Sequence, residues 1–186
     1  MLRKEMTKID IEKELNGQGD YVQIDNITRF IKENPPIDIK RFVYLKLTGI
    51  YERRNMFADA AEVYIRLIEI SLVEKDKVNY LTKATECYIK AGFLDKADIT
   101  LKKALSEASV MERGKISIAI KEFYKNQAQL YGREKRRNKA VQTYEKMLSM
   151  NYSDFEKKDI NQKLLTLYKE LGMVDQYMVL NKRVNG

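Results

Sequence analysis

Four tyrosines set the frame of this chain: Tyr51, Tyr88, Tyr131 and Tyr168, spaced 37, 43 and 37 residues apart, anchor four segments that repeat one pattern. Nine residues after the first three stand Ala60, Ala97 and Ala140, and Tyr177 holds that place in the fourth. Seven before each anchor are Tyr44, Leu81, Tyr124 and Asn161; four before are Leu47, Ala84, Gln127 and Leu164. Thirteen after are Tyr64, Leu101, Tyr144 and Asn181, and sixteen after are Leu67, Ala104, Met147 and Val184. Self-similarity at a period of a few tens of residues is the mark of a repeat architecture. Offsets of three, four and seven lie on one helix face, so each segment reads as helix, turn, helix, with a small residue that lets the two helices approach closely. Four residues after the anchor, Asn55, Gly92 and Gly172 are residue types that tolerate the left-handed conformation of a helix C-terminus. Lys135 departs from this in the third segment, where Gly132 is expected to end the helix sooner.

With only 2 Pro and 8 Gly in 186 residues, and apolar residues recurring at three and four positions, the chain is expected to be all-α. Breaks at Asn16 to Asp20, Asn34 to Pro36, Asn55, Gly92, Met111 to Gly114, Lys135, Asn151 to Ser153 and Gly172 cut it into about ten helices. A shift of 37 residues back from Tyr64 and Leu67 lands on Ile27 and Phe30, with Pro35 and Pro36 following. Residues 1–36 therefore read as a divergent hairpin, followed by units at about 37–74, 75–110, 112–150 and 153–186 within a single domain, 1–186. The six extra residues between the second and third units, around Ser106 to Lys115, are expected to lengthen two helices and their loop.

The chain has no His and a single Cys, which removes imidazole bases, Ser-His and Cys-His dyads, His-ligated metals and Cys-ligated zinc. No catalytic residue, cofactor or metal ligand is proposed from the sequence. Cys87, between Ala84 and Ala91 on a helix, reads as buried filler. Gly17-Gln18-Gly19 has no following Gly-Lys-Ser/Thr, and Asp20 would repel a phosphate, so it reads as a loop between helices. Of the carboxylates Asp10, Glu12 and Glu14, only Asp10 and Glu14 share a helix face, which reads as solvated. There is no run of 18 apolar residues, and charges follow Met1-Leu2. A soluble, cytoplasmic protein without a membrane span is expected.

The pattern resembles the tetratricopeptide repeat, whose signature is an aromatic, two residues, Leu-Gly, two residues, Tyr, then Ala, three residues, Phe, then Pro. Tyr44-x2-Leu47-x3-Tyr51, with Ala60-x3-Tyr64, follows it with Thr48 in place of the Gly; Leu81-x2-Ala84-x3-Tyr88 and Tyr124-x2-Gln127-Ala128-x2-Tyr131 follow in turn. The resemblance covers about 145 residues well, and the last unit keeps half the signature, as an end cap does. It implies a right-handed α-solenoid of antiparallel hairpins. The lengthened units are similar to the soluble NSF attachment protein branch of that superfamily, which would imply docking onto an ATPase or an assembly.

Two surfaces are candidates for function. Lys plus Arg against Asp plus Glu run 7 to 8 over residues 1–40, 7 to 6 over 41–77, 7 to 5 over 78–120, 9 to 5 over 121–157 and 5 to 3 over 158–186. The peak, Arg133 to Lys139, falls in the turn of the third unit, and equivalent turns of a repeat line one edge. Arg53, Arg54, Arg133, Lys135, Arg136 and Arg137 thus form a candidate basic ridge for nucleic acid, an anionic membrane or an acidic peptide. Most of the twelve Tyr occupy packing positions, leaving Tyr21, Tyr80, Tyr152 and Tyr177 freer. The second surface is the groove that such arrays offer a partner segment, faced by Leu45, Gly49, Thr82, Glu86, Lys125, Gln129, Gln162 and Thr166. With Asn126 and Arg133 added, the third unit offers a polar, cationic patch suited to a carboxylate or a backbone. Leu45 and Gly49 replace the Lys and Asn by which the family's chaperone-tail binders clamp a carboxylate. The sequence points to a non-enzymatic adaptor that binds an unidentified protein in the groove, with a nucleic-acid-associated helical repeat as the alternative. It leaves the oligomeric state open.

Overall fold

The computed structural model describes residues 2–185, and among them the chain is all-α. Ten helices follow in order: α1 (Lys8–Leu15), α2 (Asp20–Lys32), α3 (Ile37–Arg53), α4 (Phe57–Glu69), α5 (Glu74–Ala91), α6 (Leu94–Glu107), α7 (Val110–Arg133), α8 (Arg137–Leu148), α9 (Asp154–Leu171) and α10 (Val174–Asn185). They group into two compact units, Met1–Ser109 and Val110–Gly186.

The anchor tyrosines mark the same turn four times. In each, the residue four beyond the anchor is left-handed: Asn55 at φ 57°, Gly92 at 85°, Lys135 at 58° and Gly172 at 68°. The residue after it donates its N–H back to the anchor's carbonyl, from Met56 to Tyr51 at 2.8 Å, Phe93 to Tyr88 at 2.9 Å, Arg136 to Tyr131 at 2.8 Å and Met173 to Tyr168 at 2.9 Å. The left-handed residue itself donates to the residue after the anchor, as Lys135 does to Gly132 at 3.1 Å. This paired closure satisfies carbonyls that a helix end would otherwise leave open. Gly132 does not end α7, contrary to the sequence expectation; the helix continues to Arg133, and Lys135 takes the left-handed place that Asn or Gly fills elsewhere. The closing bonds require that conformation, and they hold a lysine in it at a cost of about 1 kcal/mol.

The anchors also expose a longer period. Tyr51 to Tyr131 and Tyr88 to Tyr168 are both 80 residues, so α3–α6 and α7–α10 carry one four-helix block in the same register. The core follows it: Leu67 and Met147, Ala84 and Leu164, Tyr88 and Tyr168 are buried counterparts. Ala60, Ala97 and Ala140 are fully buried where paired helices meet. The six extra residues before the third unit extend α7, at 24 residues the longest helix.

Each block joins its successive hairpins by a tyrosine on a carboxylate. In the first unit the Tyr88 hydroxyl on α5 donates to Glu62 of α4 at 2.9 Å, and Lys96 of α6 binds the same carboxylate at 2.7 Å. In the second, Tyr168 of α9 donates to Glu145 of α8 at 2.7 Å. The first unit also includes α1 and α2, whose Ile11, Leu15, Ile27 and Phe30 are buried and whose Glu12 pairs with Lys46 of α3 at 2.9 Å.

Candidate functional site: a two-compartment groove on the second unit

The first helices of the two hairpins of the second unit, α7 and α9, flank a groove floored by α8. Its cationic compartment, about 350 Å³, is lined by Gln129, Gly132 and Arg133 of α7, Tyr144 of α8, and Lys163, Thr166 and Leu167 of α9. No carboxylate lines it. Lys163 is paired with Asp159 one turn earlier at 2.6 Å. Arg133 is exposed, and among the described residues no ion pair holds it. Gln129, Arg133 and Thr166, read from the sequence as groove residues, therefore meet in one place, and Lys163 joins them.

A second compartment of about 150 Å³ adjoins the first and shares Tyr144 and Lys163 with it. Met147, Tyr152 and Ile160 give it buried apolar walls, and Phe155 stands at it 84% exposed. Lys125, Glu156 and Asp159 also line it. Glu156 closes a capping box with Ser153 at the start of α9, which fixes the neighbouring Phe155 in the first turn. Hydrogen bonds from Ser153, then Lys121 and Lys125, hold the Glu156 carboxyl below its ordinary range. Tyr152, expected to be free, is buried and donates to the Lys121 carbonyl at 2.8 Å. Asn126 is exposed on α7.

Gln162, also named from the sequence, is exposed on α9 and lines neither compartment. Of the groove residues named in the first unit, Thr82 and Glu86 are engaged locally. The Thr82 hydroxyl donates to the Val78 carbonyl at 2.9 Å, and Glu86 pairs with Lys83 at 2.9 Å. Tyr80, also expected to be free, is buried, lies 6.3 Å from the Tyr64 ring and accepts from Arg41 at 3.2 Å.

Four of the six ridge cations are occupied by the fold. Arg53 pairs with Asp20 at 3.0 Å, Arg54 lies 4.6 Å over the Tyr21 ring, Arg136 pairs with Glu134 at 3.2 Å and Arg137 with Glu170 at 2.6 Å. Arg136 also covers the buried Tyr131 ring at 4.8 Å. Lys135 is exposed and holds the turn by its backbone.

Cys87 is buried, and desolvation pushes its thiol up to about 12, so the thiolate that would react is scarce near neutral pH. Among the described residues no group of His, Cys, Asp and Glu is arranged to hold a metal ion, and no helix is long and apolar enough to cross a membrane. The chain matches no protein-family model and no curated protein.

Proposed function

We propose that the chain is a non-enzymatic adaptor of tetratricopeptide-like type, whose hairpins repeat in the right-handed sense that the resemblance implies and which binds a segment of a partner protein in the groove between α7 and α9. The carrying observation is the meeting of Gln129, Arg133, Lys163 and Thr166 around a cationic space with no carboxylate on its wall. The four identical turns support the repeat reading, because they keep one geometry even where Lys135 makes it unfavourable. Engagement of Arg53, Arg54, Arg136 and Arg137 within the fold favours the groove over the basic ridge as the binding surface.

Affinity capture of the tagged chain from lysate, with and without nuclease, separates the two. A defined protein that co-purifies in both conditions, and is lost when Gln129→Trp fills the groove, is the expected result. Partners that disappear on nuclease treatment would overturn the groove reading and favour nucleic acid on the ridge.

A further inference from the structure

The groove's two compartments differ in chemistry and are a short, fixed distance apart. On α7 the lining passes from Lys125 to Gln129 and Arg133; on α9 it passes from Phe155 and Ile160 to Lys163, Thr166 and Leu167. Both helices therefore run from the apolar compartment to the cationic one in the same chain direction. The centres of the two linings differ by roughly six residues on each helix, or about 9 Å at 1.5 Å per residue. An extended chain covers that distance in about three residues at 3.3 Å each.

The first unit shows the same positions in the other copy of the block. Shifted by 80 residues, Arg133, Lys163 and Thr166 become Arg53, Lys83 and Glu86. There Asp20 answers Arg53 at 3.0 Å and Glu86 answers Lys83 at 2.9 Å, so carboxylates of the chain itself neutralise the site. In the second unit Thr166 replaces the glutamate and Asp159 answers Lys163 in its stead at 2.6 Å, but among the described residues no acid is paired with Arg133. What Arg133 lacks is a carboxylate, the group whose planar oxygens match a guanidinium fork. The adjoining compartment of about 150 Å³, walled by Tyr144, Met147 and Ile160, has the size to take one benzene-sized side chain.

Resting on the groove reading above, we propose that the ligand is a protein segment with two anchors: an Asp or Glu that pairs with Arg133, and a large apolar side chain two to four residues away that enters between Phe155 and Ile160. Gln129 and Thr166 offer hydrogen bonds to the backbone between the anchors.

The test is selection of random displayed dodecapeptides on the immobilised full-length protein, with the enriched peptides then measured by fluorescence anisotropy. Enriched peptides are expected to carry the acid and the apolar residue at that spacing. Arg133→Gln should weaken them about tenfold or more, the effect of losing a charge-assisted pair. Arg53→Gln, at the counterpart position, should leave them unchanged. Phe155→Ser should remove the apolar preference while sparing the acid. Peptides lost on Gln129→Trp but indifferent to Arg133→Gln, or lacking the spaced pair, would overturn the two-anchor motif and leave the groove standing. Peptides indifferent to Gln129→Trp would overturn the groove as their site. A selection that enriches nothing overturns the motif, and the capture experiment then decides the groove independently.

Discussion

Arg53 and Arg133 occupy the same place in two copies of one four-helix block, the last residue of α3 and of α7. Arg53 is held by Asp20; Arg133 opens onto a cationic space without a carboxylate. The contrast extends to whole units: Met1–Ser109 has 19 Lys and Arg against 18 Asp and Glu, a net +1, whereas Val110–Gly186 has 16 against 9, a net +7. Nearly all the excess charge of the chain therefore belongs to the unit with the groove. A balanced unit satisfies its own charges, while an unbalanced one attracts partners of opposite sign and steers their approach. The fold is common to both blocks, and the substitutions at a few groove positions distinguish them.

The strongest test of the comparison strikes the shared core. Leu67 and Met147 are counterparts, and both are completely or almost completely buried. Leu67→Ala and Met147→Ala should each cost about 2–5 kcal/mol. Hydrogen exchange followed helix by helix should show the first loosening α3–α6 and the second α7–α10. Equal loosening of all helices by either substitution would mean that the two units unfold as one.

The turns provide a smaller and sharper contrast. Gly172 has open space where a Cβ would stand, so Gly172→Ala isolates the cost of the left-handed conformation and should destabilise by about 1 kcal/mol. Lys135→Gly relieves the same strain and should stabilise by up to about 1 kcal/mol, less the flexibility it adds to the unfolded chain. Urea unfolding of both variants checks the opposite signs.

Acid should reveal the smallest difference. Lys96, and after it Tyr88, lower the Glu62 carboxyl below its ordinary value near 4.5. A depressed carboxyl contributes fully above its unfolded value and loses that contribution as pH falls through the folded one. The first unit should thus lose part of its stability below about pH 4.5, and Glu62→Gln should flatten that limb of the curve. An unchanged acid limb in unfolding curves from pH 3 to 7 would show that the carboxylate contributes nothing net.

How much of this was legible in the sequence depended on the range of the interaction. The Asn55, Gly92 and Gly172 turns could be read because those residue types favour the required backbone; Lys135 could not, because nothing in a lysine side chain favours φ near +58° and only the closing hydrogen bonds impose it. Gln129, Arg133 and Thr166 were found from helix spacing, since the period fixes the face. Lys163 and Phe155 were missed, as was the burial of Tyr80 and Tyr152, because each depends on which neighbouring helix lies opposite. The carboxylates that receive the anchors show why such pairs resist prediction: Glu62 precedes Tyr88 by 26 residues but Glu145 precedes Tyr168 by only 23, about one helical turn later on α8. The constant shift of 80 residues was the available signal, and aligning Arg133 with Arg53 and Thr166 with Glu86 points to the positions at which the two blocks differ.

Burial of Cys87 has a practical side. The chain's single native thiol is shielded from solvent, and its pKa of about 12 leaves it nearly all protonated at neutral pH. A cysteine introduced at exposed Asn126 would then be the nucleophile that an alkylating dye finds first. A fluorophore placed there, beside the groove, could report each arriving segment as a change in emission while every native side chain of the two compartments stays in place.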